Sequence, residues 1–97
     1  FNRKAEISIL ISPEYQDKGY GKEALLMLMR FAFKKMNLYR LEAEVIDYND
    51  KAKSLFEKVG FIPEGRLREA KYNDGKYYDV LRYGMLRHEY DKKYESK

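Results

Sequence analysis

Ile9-Leu10-Ile11-Ser12-Pro13-Glu14-Tyr15-Gln16-Asp17-Lys18-Gly19-Tyr20-Gly21-Lys22 reads as an apolar strand that runs into a short turn and then a long helix. The turn carries Gln16-x-x-Gly19-x-Gly21. Two glycines at that point strip side chains from the loop, so its N–H groups converge ahead of a helix N-terminus. Unpaired amide donors and the positive end of a helix dipole together form a cradle for an anion such as a pyrophosphate. A lone Gly-x-Gly is weak evidence. Its position between a strand and a helix strengthens it.

The elements around this stretch follow from hydrophobic periodicity. Glu6 to Ser12 alternates, with Ile7, Ile9 and Ile11 on one face and Glu6, Ser8 and Leu10 on the other, which is strand patterning. From Gly21 to Met36, residues Leu25, Leu28, Met29, Ala32, Phe33 and Met36 recur at helical spacing, and Asn37 is placed to terminate the helix. The three methionines Met27, Met29 and Met36 are read as core packing. Arg40 to Ile46 alternates again, with Leu41, Ala43 and Val45 on one face; Glu42 and Glu44 lie opposite and are expected to meet solvent. Asp47-Tyr48-Asn49-Asp50 supplies a turn and helix-capping residues, Ala52, Leu55, Phe56 and Val59 mark a short helix, and Gly60 ends it. Phe61 and Ile62 open a third strand, interrupted near Pro63-Glu64-Gly65 and resuming to Tyr72. Asn73-Asp74-Gly75-Lys76 is a hairpin turn, and Tyr77 to Leu86 is the last strand. The charged tail from His88 to Lys97 is expected to fray. The predicted order is β-α-β-α-β-β in one α/β unit.

The length of 97 residues fits one small domain. The chain begins with Phe1 and is read as a piece cut from a longer protein. No apolar run reaches membrane-spanning length, so no membrane partner is expected. Cysteine is absent, which excludes a disulfide framework and Cys-ligated metal and fits a cytoplasmic protein. The formal charge of +4 suits an anionic partner, but sixteen acidic residues are interspersed, so there is no basic arm of the kind that grips nucleic acid.

A second block lies downstream: Asn49-Asp50-Lys51-Ala52-Lys53-Ser54-Leu55-Phe56-Glu57-Lys58-Val59-Gly60-Phe61, followed by Glu64-Gly65. Paired with Gln16-x-x-Gly19-x-Gly21, it resembles the GNAT superfamily of acetyl-CoA-dependent N-acetyltransferases. The branch it most resembles holds the spermidine/spermine and ribosomal-protein N-terminal acetyltransferases. The resemblance runs from about residue 4 to 90. It implies the C-terminal, acetyl-CoA-binding part of a GNAT fold with a mixed sheet: a single partial domain over 1–97 that lacks the upstream strands and helices of the family. Acetyl-CoA is the implied cofactor. The implied acceptor is a small-molecule or peptide amine, attacked directly in a ternary complex.

Residue by residue, the resemblance implies that Ile9, Leu10 and Ile11 pair their backbone with pantetheine and aim an N–H at the thioester carbonyl. Gln16, Asp17, Lys18, Gly19, Tyr20, Gly21 and Lys22 would hold the pyrophosphate. Asn49, Lys51, Ala52, Leu55, Phe56 and Lys58 would flank the ligand, with Asn49 bonding it. Many family members carry a Tyr seven residues after this Asn, placed to protonate the departing thiolate. Phe56 stands there and has no proton to give. Glu6 is the candidate general base, reaching the amine through water; the alternative is a surface carboxylate on a strand.

The remaining candidates have simpler readings. His88 is a lone histidine with no metal constellation around it. Tyr72, Tyr77, Tyr78 and Tyr83 with Lys71 and Lys76 suggest base stacking, but strand propensity explains the tyrosines, and the two family-like blocks argue against nucleic acid. Without its family neighbours the first strand becomes a sheet edge flanked by Ile7, Ile9 and Ile11, and the sheet face left uncovered becomes a bare patch. A homo-oligomer through the exposed first strand is therefore expected. The rival reading is a truncated acyl-CoA-binding or self-associating module without turnover, favoured by the missing upstream strands and by Phe56.

Overall fold

The computed structural model describes residues 4–7 and 20–95. Four strands form one mixed sheet in the order β1-β2-β4-β3: β1 (Lys4–Ile7), β2 (Arg40–Ile46), β3 (Ile62–Asn73) and β4 (Lys76–Leu86). Strands β1 and β2 are parallel, with Lys4 opposite Arg40 and Ile7 opposite Ala43. The other pairs are antiparallel. Helix α1 (Tyr20–Arg30) makes the crossover between the parallel strands, and α2 (Asp50–Val59) links β2 to β3. The predicted order and mixed sheet are present, and β2 has the predicted limits.

Strand β2 shows how the sequence sorts the sheet's faces. Leu41, Ala43 and Val45 are buried. They meet Leu25, Met29, Ala32 and Phe33 from α1 and its continuation, and Ala52, Phe56 and Val59 from α2, in a single core. Both helices therefore cover one face. On the opposite face Glu42 and Glu44, expected to meet solvent, are engaged in ion pairs. Arg40 donates to Glu42 through Nε at 2.8 Å and also pairs with Glu64. Arg82 reaches Glu44 at 2.9 Å and Glu42 at 3.3 Å. Glu42 opposes Gly84 in the ladder, and Glu64 lies across that glycine, where a Cβ would meet its carboxylate. Cross-strand register makes partners of charges that the sequence shows only as alternating polar positions.

The helix expected over Gly21 to Met36 divides. After Arg30 it continues as a π-helical turn over Phe31–Lys35, where Met36 N–H donates to the Phe31 carbonyl at 2.9 Å. Asn37 then adopts a left-handed φ of 57° and stops it, as its residue type predicts. The core reading of the methionines holds for Met29 only. Met27 is 73% exposed, Met36 is 53% exposed, and Leu28 is also on the surface.

The turn chemistry follows the sequence. Asn49 caps α2, its Oδ1 accepting from Ala52 N–H at 3.1 Å, and Gly60 closes it at φ 114°. Asp74 (φ 55°) and Gly75 (φ 81°) form the two-residue β3–β4 turn. The interruption near Pro63-Glu64-Gly65 is a bulge, and a wider one separates Leu67 from Lys71. There Asp79 faces Arg68, Glu69 and Ala70: its Oδ1 accepts from Glu69 N–H at 2.8 Å and its Oδ2 from Arg66 at 2.7 Å.

As far as Glu95 the tail is helical rather than frayed. Arg87–Tyr90 form a helical turn, α3, that runs on as a π-type turn over Asp91–Glu95. Glu89 accepts from Leu86 N–H at 2.8 Å at its start. Tyr90 is only 4% exposed and stacks on Phe33 with 4.9 Å between ring centroids. Among the described residues, no helix is long and apolar enough to cross a membrane.

Candidate active site

Helix α2 presents two faces. Ala52, Phe56 and Val59 go into the core, while Asp50, Lys51, Ser54, Leu55 and Lys58 fall one turn apart on the outer side. That outer side faces the first turn of α1, where Gly21 and Lys22 lie. Together these seven residues line a groove of about 390 Å³.

The groove's chemistry comes from its two walls. A helix's first turn has backbone N–H groups without intrahelical acceptors, and the dipole adds partial positive charge. Gly21 leaves that backbone unscreened by a side chain. Three lysines and one aspartate line the space, so the lining is net positive. Asp50 is partly neutralised by Lys53, whose Nζ lies 3.0 Å from its Oδ1. Leu55 adds an apolar surface between the charged positions. Such a site suits a phosphorylated ligand with an apolar or amide arm.

The structure brings five of the predicted ligand-site residues together: Gly21, Lys22, Lys51, Leu55 and Lys58. It adds Asp50 and Ser54, which sequence reasoning passed over. Ser54 sits one helical turn before Lys58, so drawing the helical face through Lys51, Leu55 and Lys58 includes it. Of the predicted positions with described side chains, Asn49, Ala52 and Phe56 are not in the groove lining. Asn49 spends its side-chain oxygen on the α2 cap, and Ala52 is buried. Phe56 is 1% exposed, set edge-on to Phe61 at 5.2 Å and stacked with Tyr83 at 5.9 Å. Tyr83 in turn donates to Glu57 at 2.9 Å, and burial followed by that bond pushes its phenol up to about 12.

Tyr20 opens α1, and Glu6 lies in β1 with its Cα opposite that of Glu42. Ile9, Leu10, Ile11, Gln16, Asp17, Lys18 and Gly19 lie outside the described residues.

Comparison with known proteins places this geometry. Residues 1–81 match the model of the acetyltransferase (GNAT) domain. Spermidine N(1)-acetyltransferase of Escherichia coli K12 is 44% identical over 66 residues, which cover 68% of this chain and 36% of that protein. The putative ribosomal N-acetyltransferase YdaF of Bacillus subtilis is 35% identical over 68 residues, covering 70% of this chain and 37% of the relative. Among solved structures, mutant forms of the spermidine/spermine N-acetyltransferase SpeG from Vibrio cholerae superpose with a TM-score of 0.87 at 34% identity. That alignment covers 96% of this chain and 56% of theirs. The chain thus spans little more than a third of the length of these curated relatives. With a family model matched over most of its residues and a shared fold, it belongs to the GNAT family of acetyltransferases.

Proposed function

We propose that this chain is the cofactor-binding part of an acetyl-CoA-dependent N-acetyltransferase that passes acetyl to a primary amine by direct attack in a ternary complex. The observation that carries the reading is the groove in which the α1 N-terminus faces the lysine-bearing side of α2. Its donor set fits coenzyme A. The first-turn backbone around Gly21 suits the pyrophosphate, Lys22, Lys51 and Lys58 suit its negative charge, and Leu55 offers an apolar wall to the pantetheine arm. When bound, the cofactor supplies an activated acetyl group on a thiolate leaving group.

The protein's part is positioning and proton management. An amine reaches the acetyl carbon as a nucleophile only after losing its proton, and Glu6 is proposed to take it through water. Phe56 offers no acid to the leaving sulfur, which a thiolate tolerates because it is a good leaving group. Polyamines are the proposed acceptors, supported by relatives named spermidine acetyltransferases; the protein N-terminus is the alternative, supported by the relative named for ribosomal acetylation. The edge position of β1 supports self-association along that strand. A module that binds acyl-CoA without turnover is the second reading, and Phe56 is the residue that favours it.

Titration calorimetry tests the core of the proposal. CoA should bind the folded chain with an affinity that falls as salt is raised, since surface lysines hold part of its charge. Absence of binding at millimolar CoA to a chain shown folded by circular dichroism overturns it. Thiol release from acetyl-CoA on adding spermidine or an N-terminal peptide separates transferase from binding module and names the acceptor.

A further inference from the structure

Helix α1 is apolar on two sides. Its inner stripe, Leu25, Met29, Ala32 and Phe33, is in the core. A second stripe, Ala24, Met27, Leu28 and Phe31, follows the same i, i+3, i+4, i+7 spacing along the outside. There Met27 is 73% exposed, Phe31 53% and Leu28 38%. Polar residues normally occupy the outer side of a surface helix, and a contiguous apolar stripe is the mark of a helix–helix contact.

We propose that this stripe seats a second copy of this chain, with the two α1 helices antiparallel across a two-fold axis between Met27 and Leu28. Two features of the stripe favour a copy of itself over an unrelated partner. The first is size. The axis sets Ala24 of one copy against Phe31 of the other, twice, so each large ring meets a small residue, while Met27 meets Leu28 at the centre. The second is charge. Glu23 lies in the first turn of α1 and Arg30 in its last, seven residues on and so along the same flank of the stripe. The same axis brings Glu23 of each copy within about half a helical turn of Arg30 of the other, so opposite charges meet on the rim at both ends. Antiparallel packing also opposes the two helix dipoles. The surface is distinct from the β1 edge and independent of the ligand groove's function.

Sedimentation equilibrium on the chain tests the pairing, with circular dichroism as the fold control. The wild type should dimerise, and Met27→Glu with Phe31→Glu should weaken association by at least about tenfold, or 1.4 kcal/mol. These side chains are exposed, so the fold should persist. Charge reversal provides a second, gentler arm. Glu23→Arg alone and Arg30→Glu alone should each weaken the dimer, and the double variant should restore it. Restoration is specific to self-pairing across this face. A monomeric wild type at hundreds of micromolar overturns the proposal. So does a dimer indifferent to both arms, or the absence of rescue in a folded double variant.

Discussion

The Tyr94 hydroxyl donates to the Val59 carbonyl at 2.6 Å. Val59 is the last residue of α2, where main-chain carbonyls lack intrahelical donors. The bond ties the C-terminal segment to the end of the helix that carries Lys51 and Lys58 of the groove. Tyr90 packs beside it, with 5.1 Å between its ring centroid and that of Tyr94. Tyr94→Phe should therefore cost about 1 kcal/mol of stability, the net worth of one hydrogen bond. Tyr90→Ala, which empties a core position, should cost about 3–5 kcal/mol. Urea denaturation measures both. A Tyr90→Ala variant as stable as wild type means that the tail is not part of the folded unit.

Asn49 separates a structural role from a binding role. Its side chain caps α2 at Ala52, so Asn49→Ala should lower stability by about 1 kcal/mol. Asn49→Ser keeps a capping oxygen and should recover most of it. If Asn49 also bonds coenzyme A, the serine variant will recover stability without recovering affinity. Parallel thermal melts and calorimetry read the two quantities independently.

Gly21 and Lys58 probe opposite walls of the groove. Gly21→Val puts a branched side chain at the proposed pyrophosphate position and should reduce CoA affinity at least about 30-fold, or 2 kcal/mol. Lys58→Ala removes one flexible point charge and should reduce affinity less, with a shallower salt dependence. Equal affinities for wild type and a folded Gly21→Val variant would place the anion elsewhere.

Asp79 carries the pH dependence of the β3–β4 ribbon. The backbone N–H of Glu69, and then the Arg66 guanidinium, hold its carboxyl below the usual carboxylate range. A depressed folded value stabilises the fold above the unfolded carboxylate range near about 4, and that contribution disappears as pH falls through the folded value. Asp79→Asn keeps an acceptor for Glu69 but cannot titrate. The wild type should show a loss of Glu69 amide protection below about pH 4 that this variant lacks. Hydrogen exchange at Glu69 across that range decides it.

Several elements were legible because one local rule determined each. Strand β2 alternates cleanly, Asn49 and Gly60 bracket α2, and Asp74-Gly75 suits a two-residue hairpin. Other features depend on partners far away in sequence. The tail is charged and short, and only two aromatic rings four residues apart, Tyr90 and Tyr94, reveal its docking. Periodicity marks α1 as helical, but its apolar residues exceed one stripe, so it could not tell Met29 from Met27. The ion pairs of Glu42 and Glu44 require knowing that Arg82 is opposite Glu44. In the site, the lysines come with a recognisable block and Ser54 lies on their helical face, whereas Asp50 joins the lining only because α2 faces Gly21.

Phe56 is where a ligand-facing expectation and a core environment meet. The ring is 1% exposed and held between Phe61 and Tyr83. Removing it leaves a cavity against α2, β4 and Phe61, so Phe56→Ala should cost about 3–5 kcal/mol. Phe56→Leu keeps most of the volume and should cost about 1.5 kcal/mol or less. Phe56→Tyr poses the sharper question, because an added hydroxyl without a partner in the core costs about 1–3 kcal/mol. If the para position faces only core, Phe56→Tyr will melt below wild type and CoA will raise both melting points equally. If it faces the proposed thiolate position, CoA will restore part of the loss, giving this variant the larger ligand-induced shift. Thermal melts with and without CoA distinguish the outcomes, and the larger shift is the one expected if the residue has lost an acid role at the leaving sulfur.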